Sequence, residues 1–324
     1  MKQPIGIRAR GRFAFSLIEL LVVVVTISLL IALLLPALQQ CREAARRCHC
    51  SSQLAQIGIA LHHFESAKGR LPSAWLPTSN GTAGWSVHAQ ILPFLEKENL
   101  YSHLDFSQSW TGVSIPYFTD KVTSIPIASI SLPDFHCPSA KVATPSETHY
   151  AVNRGTWLVF DPTKQGVGDG PFVPGSTGLQ LDEVRDGLMQ TLAFAEVLPG
   201  LSFLQNGLKT KPLAGLRPGV SVETLGGVRI TNAGHQEWMN GQAIETGFTA
   251  TGAYGDLDWI NVREGTHATA QSYAVLGTKS NHPGGSQVCM LDGAVRLISS
   301  SIAPLTFRAM VTRDGDELDS ISSQ

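Results

Sequence analysis

Between Phe15 and Leu35 the chain reads FSLIELLVVVVTISLLIALLL, an apolar run of 21 residues with a single ionisable side chain, Glu19. As a helix, a run of this length crosses the roughly 30 Å of hydrocarbon in a bilayer. Residues 1–14 before it carry Lys2, Arg8, Arg10 and Arg12 and no acid. A basic leader of this kind puts the N-terminal end on the cytoplasmic side and exports the rest. Arg42, Arg46 and Arg47 beyond the run reduce the charge asymmetry. No second apolar span follows, so the chain is expected to cross a membrane once.

Three plain identities fit this segment poorly. A cleaved secretory signal ends its apolar core at a small-residue site, whereas this core runs into Pro36-Ala37-Leu38-Gln39-Gln40. A lipoprotein needs a small residue just before its cysteine, and Cys41 follows two glutamines. A simple anchor accounts for the length but not for Glu19. A carboxylate at that depth costs roughly 2.5–3.5 kcal/mol on insertion scales, so it is expected to have a partner or a function.

Composition narrows the rest. Charged residues make up 15 % and hydrophobic ones 43 %, which excludes a freely disordered chain. Lys and Arg number 24 against 26 Asp and Glu, a formal −2, so a nucleic-acid partner is not expected. Beyond the leader, 20 basic residues face 26 acids, a mildly acidic −6. The 31 glycines and 18 prolines suit many turns and short strands rather than a helical bundle.

Helical periodicity continues past Leu35. Apolar residues recur at Leu38, Cys41, Ala45 and Cys48, then at Cys50, Leu54, Ile57, Leu61 and Phe64, steps of three and four that define one face. A helix from Phe15 to about Ser66 would be roughly 78 Å long. Pro36 inside it removes one backbone hydrogen bond and predicts a kink. Gly69 and Pro72 stop the helix. From residue 69 the texture changes to short apolar runs between Gly, Pro, Asn and Ser clusters, among them Trp85–Leu95, Tyr150–Val152, Leu192–Val197 and Tyr273–Leu276. Val288 to Ile298 reads as a β-hairpin with an Asp292-Gly293 turn. The expected fold class is α+β. It has a leader (1–14), a membrane-spanning helix segment (15–35), an amphipathic continuation (36–68) and a β-rich head (69–324) whose mainly antiparallel sheet packs on the helix.

Chemical signals are sparse. Cys48-His49-Cys50 with His62 and His63 suggests metal, but these positions lack the i, i+4 spacing that gathers ligands on one helix face. No metal is assigned there. Asp314, Asp316 and Asp319 are weak calcium candidates, as are Asp256 and Asp258, and neither group follows the twelve-residue calcium loop. No cofactor is otherwise expected. The chain holds no nucleophile elbow, phosphate-binding loop or zinc-protease motif, so no catalytic residue is assigned. Gly166-Val167-Gly168-Asp169-Gly170 precedes Pro171 and reads as a loop rather than a phosphate cradle. The most distinctive polar group is His282-Pro283-Gly284-Gly285 with Asp292-Gly293. Its two readings are a base and its orienting acid, or tight-turn residues with a hydrogen-bonding histidine.

Ala14 followed by FSLIEL resembles the cleavage and methylation motif of bacterial type IV prepilins and type II secretion pseudopilins. The resemblance implies a cut between Ala14 and Phe15 by a prepilin peptidase and methylation of Phe15. The family normally has Gly before the cut, where this chain has Ala14, the nearest substitute in size. Glu19 matches the family's glutamate, whose implied role is to neutralise the N-terminal amine of a neighbouring subunit. Pro36 also stands where pilins place a proline. The rest of the chain resembles one prepilin-like family whose head is a domain of unknown function, number 1559. The matching pieces are Cys50 to Phe64, Gly69-Arg70-Leu71-Pro72, ILPFLEKENLY (91–101), FHCPSA (135–140), YAVNRG (150–155), DGLMQTLAFAE (186–196), NHPGG (281–285), LDGAVRLIS (291–299) and FRAMVTRDGDEL (307–318).

Cys50 and Cys137 match cysteine positions of that family, and a disulfide between them is an expectation drawn from the match. In an oxidising compartment, closing so long a loop stabilises by roughly 4–5 kcal/mol in the chain-entropy model. The implied protein is a single-pass inner-membrane subunit with its head exported. Its partners are a prepilin peptidase and other pilin or pseudopilin subunits. Two other readings stay open: a membrane-anchored binding protein whose head recognises a polymer or ligand, and an anchored hydrolase using His282 and Asp292.

Overall fold

The computed structural model describes residues 16–79, 84–118, 122–164, 167–207, 222–250, 257–265 and 270–315. A single helix, α1 (Leu17–Lys68), is followed by a mixed α+β head. The chain divides into two compact units, one up to Ala45 and one from Arg46 onward. The leader and the Ala14–Phe15 junction lie outside the described residues.

In the first unit, the apolar side chains from Leu17 to Leu38 are exposed, Leu33 by 68 %. Among the described residues nothing covers them, and α1 is long and apolar enough to cross a membrane. Glu19 Oε2 accepts the Ser16 N–H at 2.9 Å, the glutamate half of a capping box that satisfies one orphan donor of the first turn. The helix is continuous through Pro36.

In the second unit, α1 buries Cys50, Gln53, Leu54, Ile57, Gly58, Ala60 and Leu61. This is the stripe read from the spacing, and Phe64 packs against the same core. Its earlier portion differs from expectation, since Leu38, Cys41, Ala45 and Cys48 are exposed. Periodicity reports which face is apolar, while burial depends on whether another element reaches it. The helix ends at Lys68, and Gly69 takes a left-handed φ of 69° while its N–H bonds Glu65 O at 2.6 Å.

Among the described residues twelve strands follow in chain order: β1 (Ser114–Phe118), β2 (Val122–Pro126), β3 (Tyr150–Asn153), β4 (Leu158–Phe160), β5 (Leu192–Glu196), β6 (Phe203–Gln205), β7 (Val228–Ile230), β8 (Gly247–Phe248), β9 (Asp258–Ile260), β10 (Ser272–Val275), β11 (Gly285–Met290) and β12 (Val295–Ser299). The main sheet has the order β12-β11-β5-β3-β8, and a second sheet runs β4-β10-β9-β6-β7. β1 and β2 form a separate antiparallel pair. Pairing is antiparallel except at β3–β8 and β6–β9.

The main sheet has apolar residues on both faces. Tyr150, Val152, Cys289 and Leu291 join the core that holds the α1 stripe, together with Phe135, Phe194 and Trp238. The alternate residues Ala151, Val288 and Met290 face a second core with Phe248, Phe307 and Val311. This is the period of two expected of a strand covered on both sides. Within the run Trp85–Leu95, Trp85 is extended and bridges to Leu76 and Asn240, while the chain turns helical over Val87–Leu95, where Ser86 caps the first turn by accepting the Ala89 N–H at 3.1 Å.

The hairpin β11–β12 forms as its sequence indicates, with Cys289 opposite Val295. Asp292 Oδ1 accepts the Ala294 N–H at 2.9 Å, and Gly293 takes φ 87°. Gly58 of α1 lets the helix approach this hairpin. A Cβ on Gly58 would lie 2.8 Å from Cys289 Sγ and 3.5 Å from Gly293 Cα. Gly58→Ala is therefore expected to lower the melting temperature, although Ala is favoured over Gly by about 1 kcal/mol in a helix interior. Adding Cys289→Ala should recover most of the loss, and thermal unfolding of the two variants and their combination measures it.

Candidate functional site

Four side chains from distant parts of the chain meet at one buried corner of the head. Cys50 comes from α1, Cys137 from the turn after the Pro133–Phe135 helical turn, Glu196 from the end of β5, and His282 from the loop entering β11. Their Sγ, Oε and ring nitrogen atoms all lie within 4.8 Å of one another. None is more than 5 % exposed. Cys137 Sγ is 3.5 Å from His282 Nε2, and Glu196 Oε1 is 3.4 Å from the same nitrogen.

Each member is held by its local backbone. Cys50 is the first residue of the buried α1 stripe. The Cys137 turn closes with Ala140 N–H on Cys137 O, and Ser139 N–H donates to the Cys137 sulfur. Glu196 continues the apolar strand LAFAE. Its Oε2 accepts the Gln287 N–H of neighbouring β11 at 2.9 Å, and its carbonyl accepts the Lys279 N–H. His282 is fixed at Nδ1 by Ser139 Oγ at 3.4 Å and at its N–H by Ser280 Oγ at 3.0 Å. Arg47 of α1 donates to Pro283 O at 2.9 Å. Gly285 then admits β12, because a Cβ there would collide with Ile298 O.

The two thiols have opposite tendencies. The hydrogen bond between them lowers the Cys137 pKa and raises that of Cys50, so Cys137 is the thiol readied to lose its proton. Burial raises both, and for Cys50 the nearby Cys137 and Glu196 charges add to the rise. Tyr150 lies against Cys50, and burial pushes its phenol up. Its hydroxyl donates to Gln53 Oε1 at 2.9 Å, and Gln53 Nε2 donates to Pro133 O at 2.7 Å, which ties α1 to the Cys137 turn.

The residues singled out from the sequence are distributed as follows. Cys50 and Cys137 do come together, as free thiols rather than as the disulfide drawn from family resemblance. His282 joins them. Pro283, Gly284 and Gly285 shape its loop, while Asp292 is exposed in the hairpin turn and serves as a turn former. Cys48 is exposed and does not join Cys50. Asp314 pairs with Arg185 at 3.0 Å, and Asp258 pairs with Lys279 at 2.6 Å. Asp316, Asp319 and Asp256 lie outside the described residues. The stretch around Gly168 is a loop whose carbonyls, Gly168 O and Gly170 O, accept from Arg313. Glu196 was not singled out, although an acid ending an otherwise apolar strand was a visible sign.

The pieces of sequence that stood out as motifs thus converge. FHCPSA supplies Cys137 and Ser139, LAFAE supplies Glu196, NHPGG supplies His282, and the helix supplies Cys50. YAVNRG forms the adjoining framework. Asn153 Nδ2 donates to Leu192 O and Val311 O. Arg154, 1 % exposed, donates to Gly241 O and Val159 O and pairs with Glu264 at 3.4 Å.

A long apolar N-terminal helix carrying a two-sheet α+β head defines the structural class. Residues 39–305 match the family described as "Protein of unknown function (DUF1559)", and the chain belongs to it. No curated protein and no solved structure matches.

Three buried histidines of the head make stability depend on pH. Burial lowers His88, His149 and His235 from 6.5 to about 4. The unfolded chain binds these protons first as pH falls, so their contribution is complete above about 6.5 and is lost toward 4, up to about 3 kcal/mol each. Burial raises Glu245 from 4.5 to about 7, which acts in the opposite sense between those values. Three groups outweigh one, and the melting temperature should fall steadily from pH 6.5 to 4. Melts of His88→Gln across that range should give a shallower slope.

Proposed function

We propose that this protein is a prepilin-like structural subunit of a type IV pilus or a type II secretion pseudopilus. The peptidase cuts between Ala14 and Phe15 and the new terminus is methylated. The apolar half of α1 then passes from the membrane into a filament, with the head outward. The observation that carries this reading is the exposed apolar face of α1 with one carboxylate, Glu19, in its first turn. A carboxylate among lipid-facing side chains is costly unless paired, and the methylated amine of a neighbouring subunit supplies a pairing cation. In this reading the partners are the membrane, the prepilin peptidase and other subunits, not nucleic acid. The protein is the peptidase's substrate and not itself an enzyme. It spans the inner membrane once with its N-terminus in the cytoplasm.

Mass spectrometry of the mature chain tests the processing step. A methylated Phe15 terminus is expected, and an intact Met1 or a cut after Pro36 overturns the reading. Glu19→Ala should leave membrane insertion intact and abolish multimers recovered by crosslinking in membranes. Unchanged multimers would reduce α1 to a tether.

A second reading, an anchored binding protein, has one observation in its favour. Trp75, Pro77, Phe160, Asp161, Lys164 and Pro174 line an open cleft of about 310 Å³. Trp75 and Phe160 meet edge to face with centroids 5.1 Å apart. If this cleft binds a polymer, Trp75→Ala should abolish retention on that polymer without altering multimers.

A further inference from the structure

We propose that Cys50, Cys137, Glu196 and His282 bind one zinc ion in a closed, four-ligand structural site. The donor set is two sulfurs, one imidazole nitrogen and one carboxylate oxygen, a combination suited to zinc rather than to calcium or magnesium. In a tetrahedron with Zn–S bonds of about 2.3 Å and Zn–N or Zn–O bonds of about 2.0–2.1 Å, the S···N edge is about 3.5 Å and the N···O edge about 3.4 Å. The corresponding separations here are 3.5 Å for Cys137 Sγ to His282 Nε2 and 3.4 Å for Glu196 Oε1 to His282 Nε2. Glu196 Oε1 is buried and accepts no hydrogen bond, facing only the His282 ring nitrogen at 3.4 Å, so it is aimed into the corner among the other donors.

The surroundings have the form of a metal ligand's outer contacts. With Nε2 on the metal, the His282 proton sits on Nδ1 and is donated to Ser139 Oγ. Glu196 keeps Oε2 on the Gln287 N–H and offers Oε1 to the ion. The Ser139 N–H supports the Cys137 thiolate. Binding forms two Zn–S, one Zn–N and one Zn–O bond, and the two thiol protons leave to solvent. Glu196 enters as the carboxylate and His282 as neutral imidazole. The site then carries one net negative charge, spread over four ligands and stabilised by these N–H donors.

All four coordination positions come from the protein, so no position is open for a water or a substrate, and the role is structural. The ion would join α1, the Cys137 turn, the centre of the main sheet and the loop into β11. It would also keep both thiols from oxidising in an exported head, where the competing outcome is a Cys50–Cys137 disulfide.

The experiment uses the full-length protein, purified in detergent from cells grown in unsupplemented medium and without chelators. Elemental analysis is expected to find about one zinc per chain. Replacing zinc by cobalt should give the intense visible bands and the thiolate charge-transfer band of a four-coordinate sulfur site. His282→Ala should lose the zinc and the cobalt spectrum, and His282→Cys, which keeps a donor, should retain both. Ser139→Ala should weaken zinc affinity about tenfold in chelator competition. Cys50 and Cys137 should resist alkylation until the chain is treated with a chelator. Wild-type protein with well under one zinc per chain, with another metal in stoichiometric amount, or with Cys50 and Cys137 found as a disulfide overturns the proposal. Zinc retained in full by His282→Ala does so as well.

Discussion

The stripe Cys50, Leu54, Ile57 and Leu61 of α1, laid against the five-stranded sheet β12-β11-β5-β3-β8, is the packing on which the head is assembled. Each buried aliphatic side chain contributes roughly 1.5–3 kcal/mol. The stripe also recruits Phe135, Phe194, Trp238 and Leu291 into one core. Its depth is set at Gly58, where the helix backbone meets Cys289 and Gly293 of the hairpin with no room for a side chain. A residue of ordinary size there would hold the helix away from β11, and Cys50 would move with it. The same hairpin is reached from the loop that carries His282. Helix position, hairpin turn and buried corner are therefore parts of one geometric arrangement.

That arrangement explains why short motifs far apart in the chain look alike in texture, each a small residue or turn former beside one chemically distinctive side chain. Cys137 needs the tight turn closed by Ala140, Glu196 needs the neighbouring β11 backbone to hold one of its oxygens, and His282 needs the glycines that follow it. Arg154 and Asn153 play the matching role on the far side of β3. They donate hydrogen bonds to the carbonyls of Leu192, Val311, Gly241 and Val159. Such groups are costly to bury alone and are bound by several acceptors at once.

Local patterns made a good part of the fold legible. The helix, its stop at Gly69, the buried face from Cys50 to Phe64 and the Asp292-Gly293 hairpin all follow from short-range rules of periodicity and backbone freedom. Three features did not. The face from Leu38 to Cys48 has the right spacing but no cover among the described residues. The run Trp85–Leu95 splits, with Trp85 extended in a bridge to Asn240 and Val87–Leu95 helical behind the Ser86 cap. Glu196 ends an apolar strand, and its place in the buried corner comes from partners 59 residues or more away in sequence. Cys48, His49, His62 and His63 share one helix with Cys50, but the neighbours of its sulfur come from a turn, a strand and a loop.

The sequence by itself determined that this chain has one span-length apolar helix with a lone carboxylate and a turn-rich head, because those properties reside in runs of adjacent residues. Only the tertiary structure decided that Cys50, Cys137, Glu196 and His282 share a site and that Asp292 does not. Sheet order and helix approach set which distant side chains meet, and spacing along the chain carries no measure of either.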